Sequence, residues 1–275
     1  MVFSFPLVIR QSKADVVPID FVGVGNFLPE VDVPFIMTNA NITFKIDANS
    51  YRKGFNANFT GNYTIFNPGA SENVTLAAPF SSAFTGLESS CVVKIDENTI
   101  AYSFSEYTWG NFSESTWEQY VSGLYYPRKF IIINVTFPEN DSITIDYSFN
   151  AYIDNRIDYG MFQIFYDVGT SRAWNGTITE QVEFKVYGKQ PYSYSGENCI
   201  ISEFEDGMSY IWYWENEIIN EDRVYISYSI PTPWYYIVGR LVPFLIIGGF
   251  FVVPIILIHQ YKSKKAKREL NKNLE

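Results

Sequence analysis

Residues 142–153 read SITIDYSFNAYI, and polar side chains alternate with apolar or aromatic ones from Ser142 to Ala151. Because successive residues of a β-strand point to opposite faces of a sheet, this pattern predicts a strand with one buried and one solvated face. Similar alternation recurs along the chain, and the further candidate strands are residues 41–47, 55–66, 73–78, 91–95, 100–104, 129–137, 160–168, 181–187, 200–204, 210–214 and 223–230. The chain is therefore predicted to be all-β.

Short strands separated by frequent turn signals are typical of β-sandwiches. A short helical signal interrupts them, because residues 115–118 (STWE) fit a capping box and Gly123 can end a helix of about two turns. We interpret this helix as a connector between two β units. The favoured architecture is two tandem β-sandwich domains, residues 20–126 and 127–232, and the alternative is one enlarged sandwich.

Residues 241–258 read LVPFLIIGGFFVVPIILI and contain no charged residue. A helix of this length reaches about 27 Å, close to the ~30 Å hydrocarbon core of a bilayer. We therefore predict a single transmembrane helix over residues 233–260, and a lipid bilayer as a partner. Aromatic residues before the span and basic residues after it are typical of the two membrane interfaces. The predicted interface residues are Trp234, Tyr235, Tyr236, Arg240, Lys262, Lys264, Lys265, Lys267 and Arg268.

The orientation of this span follows from charge. Residues 261–275 form a basic tail, and basic flanks stay in the cytoplasm. The N-terminus and all the strands are therefore expected outside, at the cell surface of the plasma membrane. Residues 1–19 begin with the apolar run MVFSFPLVI but lack a preceding basic region, so they are either a signal-peptide remnant or an N-terminal lead.

Eight Asn-x-Ser/Thr triplets precede the span, whereas this composition gives roughly three by chance. The predicted glycosylation sites are Asn41, Asn58, Asn62, Asn73, Asn111, Asn134, Asn140 and Asn175. In residues 55–67 the triplets fall on the polar side of the alternation, so their glycans would project into solvent. The alternative is an Asn-rich chain with unused triplets.

The cysteines are Cys91 and Cys199, both outside by this topology. In an oxidising compartment we expect a disulfide between them, which would contribute up to ~4.7 kcal/mol by closing a long loop. Two buried thiols are the alternative.

Catalytic motifs are missing from the sequence. His259 is the one histidine and lies at the inner end of the predicted span, so neither a Ser/His or Cys/His pair nor a His-rich zinc site can be built outside. We expect no metal and no cofactor. The net charge of −10 repels nucleic acid, so we expect no nucleic-acid partner.

An acidic and aromatic region, residues 203–222, is the remaining candidate for ligand chemistry. Aromatic rings beside carboxylates occur where proteins stack on sugars, and a carboxylate pair can hydrolyse a glycosidic bond. The speculative ligand-binding residues are Glu203, Glu205, Trp212, Trp214, Glu215 and Glu217.

These observations predict a single-pass cell-surface membrane glycoprotein that is not an enzyme. Its β-sandwich ectodomain would serve adhesion, envelope assembly or recognition of an extracellular protein or glycan partner. The alternative is a membrane-tethered carbohydrate-binding or glycoside-hydrolysing protein that uses residues 203–222.

Overall fold

The computed structural model describes residues 19–106, 128–154, 160–196, 198–231 and 261–264. The first strands are β1 Ile19–Gly25, β2 Leu28–Pro29, β3 Ile36–Asp47, β4 Gly54–Asn67, β5 Glu72–Ser81, β6 Phe84–Thr85, β7 Val92–Ile95, β8 Asn98–Thr99 and β9 Ser103–Glu106. The later strands are β10 Arg128–Phe137, β11 Asp141–Asp154, β12 Gly160–Asp167, β13 Ile178–Tyr187, β14 Ser193–Tyr194, β15 Ile200–Phe204, β16 Gly207–Glu217 and β17 Val224–Ile230. One helical turn, α1 Leu87–Ser90, and a 3-10 turn, Val168–Ala173, lie between them.

These strands form two mixed sheets. The eight-stranded sheet runs in the order β14-β17-β12-β1-β5-β10-β9, with β2 beside β5. The nine-stranded sheet runs in the order β15-β16-β13-β3-β4-β11-β7-β8, with β6 beside β11. Each sheet contains one parallel pair, β1 with β12 and β3 with β13. The prediction of a mainly β chain is therefore confirmed.

Strands from both sides of residue 126 lie side by side in both sheets. Strand β5 pairs with β10 and β1 with β12 in the eight-stranded sheet, and β4 pairs with β11 in the nine-stranded sheet. The predicted division into tandem sandwiches, residues 20–126 and 127–232, does not hold, because neither half contains a complete sheet. The described residues up to Ile230 form one compact unit, as in the enlarged-sandwich alternative.

Strand β11 shows how the alternating pattern builds the core. It pairs with β4 along its whole length, from Asp141 beside Asn67 to Asp154 beside Gly54. The residues of β11 that face inward are buried, and they are Ile143, Ile145, Tyr147, Phe149, Ala151 and Ile153. Core aromatic rings stack across neighbouring strands, as in Phe44 and Phe184, whose centroids lie 4.7 Å apart. The buried face of each sheet thus meets the other in one apolar core.

Several predictions fall on residues outside the described ranges. They include the lead 1–18, the connector helix near residues 115–123, and the span 233–260 with Trp234, Tyr235, Tyr236 and Arg240. The same holds for Lys265, Lys267 and Arg268, whereas Lys262 and Lys264 lie in the exposed helical residues 261–264. In the part of the chain that the structure describes, no helix has the length and hydropathy needed to cross a bilayer.

Candidate functional site

The outer face of the nine-stranded sheet is lined by short polar side chains. The outward residues of neighbouring strands form rows, and one row contains Gln181, Asn41, Asn62 and Asp146. A second row contains Lys185, Lys45, Asn58 and Asn150. Because polar residues alternate with buried apolar ones in β3, β4 and β11, the centre of this face presents mainly amide, hydroxyl and charged groups.

Three predicted glycosylation sites lie on this face. Asn41 and Asn62 are direct cross-strand partners, and Asn58 lies further along β4 on the same face. The Nδ2 group of Asn58 donates a hydrogen bond to Asn150 Oδ1 at 2.7 Å, and that of Asn62 donates to Asp146 Oδ1 at 2.7 Å. Each amide has two N–H groups. One bond to a neighbour therefore leaves the other N–H position of each asparagine open for a sugar.

Two depressions indent the same face. One, of about 460 Å³, has Asn58, Tyr152 and Tyr187 in its lining. The other, of about 350 Å³, is lined by Asn41 and Asn62 together with Thr43, Thr60, Val92, Lys94 and Asp146. Both volumes fall in the ~300–1,000 Å³ range of small-molecule sites. A predicted glycosylation site thus forms part of the wall of each depression.

The eight-stranded sheet carries a reciprocal pair of these sites. Asn73 lies opposite Thr136, and Asn134 lies opposite Thr75, so the triplets of β5 and β10 face each other. Thr75 Oγ1 donates to Asn134 Oδ1 at 3.0 Å, and Thr136 Oγ1 donates to Asn73 Oδ1 at 2.5 Å. The acceptors are the amide oxygens, so these bonds do not use the amide nitrogens that glycosylation modifies.

The remaining sites lie in loops or outside the described residues. Asn140 occupies the turn between β10 and β11 with φ 47°, a left-handed conformation that asparagine tolerates well. Asn175 is exposed, and its Nδ2 donates to Val33 O at 2.6 Å. Asn111 lies outside the described residues. The seven described sites are all exposed or half-buried.

The acidic and aromatic region does not form the predicted cleft. Trp212 and Trp214 are only 2% and 6% exposed, because the alternation of β16 turns them into the core and Tyr213 outward. The Trp212 Nε1 group donates to Ser195 O at 2.9 Å. Neither indole has a free face on which a sugar could stack.

The carboxylates of this region form two groups that lie far apart. Glu203 pairs with Met208 beside the turn that contains Glu205, whereas Glu215 and Glu217 lie at the far end of β16. The stretch of strand between Met208 and Glu215 spans about 24 Å. That distance is far larger than the separation of about 5–10 Å between the paired carboxylates in glycosidases. Among the described residues, moreover, no group of three or more His, Cys, Asp or Glu side chains could hold a metal ion.

The predicted bond between Cys91 and Cys199 is absent, and both thiols are free. Cys91 precedes β7 and Cys199 precedes β15, and these strands lie near opposite edges of the nine-stranded sheet. At about 4.8 Å per strand, the path across the sheet is roughly 29 Å, whereas a disulfide requires Cα atoms within about 7 Å. The alternative was two buried thiols, and it holds for Cys91, whereas Cys199 is only half-buried.

A buried polar network that was not predicted from the sequence lies between the sheets. Glu180 of β13 is completely buried, and burial raises the pKa of its carboxyl to about 8. Its Oε1 accepts a hydrogen bond from Asn26 Nδ2 at 3.4 Å, and Asn26 Oδ1 accepts one from the Tyr166 hydroxyl. The Tyr63 hydroxyl lies 3.1 Å from that of Tyr166. The pattern of β13 contained the signal, because Glu180 shares a strand face with Ile178 and Val182.

Comparison with known proteins shows a likeness of fold. No family model matches the sequence, and no curated protein sequence matches it. A solved protein from Legionella pneumophila, described as nutrient binding, has a TM-score of 0.57 and 15% identity over 75% of this chain and 71% of its own. A variant of an M1 zinc metallopeptidase from Deinococcus radiodurans has a TM-score of 0.40 and 5% identity, over 72% of this chain and 43% of its own. Aminopeptidase A of Legionella pneumophila has a TM-score of 0.35 and 10% identity, over 70% of this chain and 21% of its own. The first likeness shows a shared sandwich fold, and at these identities the structures carry no statement about activity.

Proposed function

We propose that this protein is a non-enzymatic, single-pass cell-surface glycoprotein whose β-sandwich is held outside the membrane by a helix over residues 233–260. Its role is adhesion, envelope assembly or recognition of an extracellular partner. The observation that carries the proposal is the placement of the glycosylation triplets. All seven that fall in described residues have their asparagine at the surface.

The distribution of these sites supports an outer, glycan-covered location. Asn41, Asn58 and Asn62 lie on one outer face of the sandwich, and Asn73 and Asn134 lie on strands of the other sheet. A glycan is bulky and soluble, so it is tolerated only where the asparagine faces solvent. Glycans at these positions leave the core undisturbed.

The charge distribution supports the same orientation. The fifteen residues after Gln260 contain Lys262, Lys264, Lys265, Lys267 and Arg268, whereas the glycosylation triplets all precede residue 178. Basic flanks favour the cytoplasmic side of a membrane helix, so the tail and the triplets belong on opposite sides. The rival function, sugar binding or hydrolysis by residues 203–222, has less support, because Trp212 and Trp214 are buried and Glu203 lies far along β16 from Glu215 and Glu217.

A protease-protection assay tests this proposal. The full chain is expressed in glycosylating cells, sealed vesicles are prepared with their cytoplasmic side outward, and the mass is compared before and after protease and glycosidase. We expect protease to remove only the tail, and glycosidase to lower the mass of the protected part. An untouched tail, or a protected part that carries no glycan, would overturn the proposal.

A further inference from the structure

The depression around Asn58 differs from the other depression on the nine-stranded sheet in one respect. Two tyrosine rings, Tyr152 and Tyr187, form its walls, whereas the depression at Asn41 and Asn62 has no exposed aromatic side chain in its lining. Tyr152 is 38% exposed, so part of its ring faces solvent. An exposed ring beside a modifiable asparagine is an apolar surface that a sugar attached there can cover.

The register of the sheet places Tyr152 close to Asn58. Asn58 pairs with Asn150, and Tyr152 is two residues further along the same strand, opposite Asn56. Such diagonal neighbours lie about 7–8 Å apart. The Tyr152 ring extends away from Asn58, over Gly54, and its hydroxyl donates to Lys53 O at 3.2 Å. A sugar on Asn58 that covers the ring therefore crosses the outer side of Asn56.

The side chain of Asn58 is already oriented. Its Nδ2 donates to Asn150 Oδ1 at 2.7 Å. A glycosylated asparagine keeps one N–H group, so this bond persists after modification and sets the direction in which the first sugar leaves the strand. Because this hydrogen bond fixes the orientation of the Asn58 side chain, less conformational entropy is lost when the sugar packs against the protein.

The lining suits an N-acetylhexosamine. The outward side chains that line the depression carry one cation, Lys45, one anion, Asp47, two tyrosine rings, and neutral amide and hydroxyl groups. Hydroxyl and acetamido groups of a sugar find donors and acceptors on such a rim, while its apolar face packs on a ring. The volume of about 460 Å³ leaves room for a sugar of this size.

We infer that this depression is a docking site for the first N-acetylhexosamine of the glycan carried by Asn58, with Tyr152 as its stacking surface. The occupant is the protein's own glycan, because the attachment atom lies in the wall of the site. This inference rests on the proposed function, since it requires Asn58 to be glycosylated. Docking of the sugar holds β4 and β11 together from outside the core.

Rates of enzymatic glycan release test the docking. The folded full-length protein is treated with an endoglycosidase that cuts between the first two sugars, and peptide mass spectrometry follows Asn58 and Asn140 in the same molecules. Asn140 lies in a turn outside both depressions and serves as the internal reference. We expect release at Asn58 to be at least several-fold slower than at Asn140 in the natural protein and in Tyr152→Phe, which keeps the ring.

Matched variants separate docking from general effects. Tyr152→Ala is expected to bring release at Asn58 close to the rate at Asn140. Tyr192→Ala removes a tyrosine that is 75% exposed and outside this depression, and it is expected to leave the rate at Asn58 slow. Equal release at Asn58 and Asn140 in the natural protein would overturn the inference, as would an unchanged slow rate in Tyr152→Ala.

Thermal unfolding gives a second measurement that does not depend on the Tyr152 variants. Thr60→Val abolishes the triplet at Asn58, and Thr60→Ser keeps it. We expect Thr60→Val to unfold a few degrees lower than Thr60→Ser in glycosylating cells, and the two to unfold together when made without glycans. Equal melting temperatures in glycosylating cells would overturn the docking.

Site occupancy distinguishes the two proposals. Glycans at other sites but none at Asn58 would overturn the docking alone. No glycan at any site would overturn the proposed function as well.

Discussion

Asn26, which follows β1, donates a hydrogen bond from its side-chain Nδ2 to Glu180 Oε1 of β13 at 3.4 Å, and this contact joins the two sheets inside the core. Asn26 Oδ1 accepts a hydrogen bond from the hydroxyl of Tyr166 in β12. That hydroxyl also shares a hydrogen bond with the hydroxyl of Tyr63 in β4. The polar chain therefore runs from the nine-stranded sheet to the eight-stranded sheet and back. A buried carboxyl whose pKa differs between the folded and unfolded states makes the free energy of unfolding depend on pH.

Stability is expected to depend on pH through Glu180. Burial raises the pKa of its carboxyl from 4.5 to about 8, so the folded state holds a proton that the unfolded state has lost between these values. The contribution of Glu180 to the free energy of unfolding therefore falls as pH rises between these two pKa values, by on the order of a few kcal/mol. Urea unfolding on the acid side and on the alkaline side of this window measures the change.

A variant and a control identify the group responsible. Glu180→Gln cannot ionise, so its unfolding free energy is expected to vary less between the two pH values than that of the natural protein. Glu217→Gln changes an exposed carboxylate and is expected to keep the natural slope. If the unfolding free energy of Glu180→Gln changes between the two pH values as much as that of the natural protein, the assignment to Glu180 is wrong.

Removing the hydroxyl group is expected to have different effects on stability at two buried tyrosines, Tyr166 and Tyr228. Tyr166→Phe leaves Asn26 Oδ1 and the Tyr63 hydroxyl without a buried partner, which costs about 1–3 kcal/mol. The Tyr228 hydroxyl is buried and has no hydrogen-bond partner among the described residues. Tyr228→Phe is therefore expected to be neutral or stabilising. Chemical denaturation of both variants measures the contrast, and equal destabilisation would contradict it.

Local alternation predicted many of the strands but not their neighbours. Residues 142–153 fall inside β11, because the period of two is a property of the strand itself. The pairing of β3 with β13 joins residues that are far apart in the chain, so no local sequence pattern predicts it. In β16 the inward residues Trp212 and Trp214 alternate with the apolar outward residues Ile211 and Tyr213, so composition did not reveal which face was buried. The predicted cleft failed for that reason.

The pairing of strands across residue 126 predicts that neither half of the sandwich folds alone. A fragment of residues 20–126 lacks the strands that pair with β1, β3, β4 and β5. A fragment of residues 127–232 lacks those same four strands, which pair with β12, β13, β11 and β10. We expect each fragment to lack cooperative thermal unfolding, and the intact sandwich to unfold in one transition. Circular dichroism of the fragments, separately and mixed, checks this. A cooperative transition in either fragment by itself would contradict the single sandwich.

The positions of the two cysteines predict that stability does not depend on a disulfide. Cys91 is buried at one side of the nine-stranded sheet and Cys199 is half-buried at the other, too far apart to bond. Burial raises the pKa of the Cys91 thiol to about 12 and that of Cys199 to about 11, so neither is a reactive thiolate near neutral pH. We expect slow reaction of the folded protein with a disulfide reagent, and rapid reaction of both thiols after unfolding.

Reductant and substitution separate the roles of the two thiols. Adding reductant is expected to leave the melting temperature unchanged, because no bond within the chain is broken. Cys199→Ser is expected to change stability by less than about 0.5 kcal/mol, whereas Cys91→Ser places a hydroxyl in the core and costs more. The Tyr102 hydroxyl donates to the backbone oxygen of Cys91 at 2.7 Å, so that bond survives either substitution. A peptide map containing a linked Cys91–Cys199 pair, with a melting temperature that falls on reduction, would contradict the placement of β7 and β15 near opposite edges of the nine-stranded sheet.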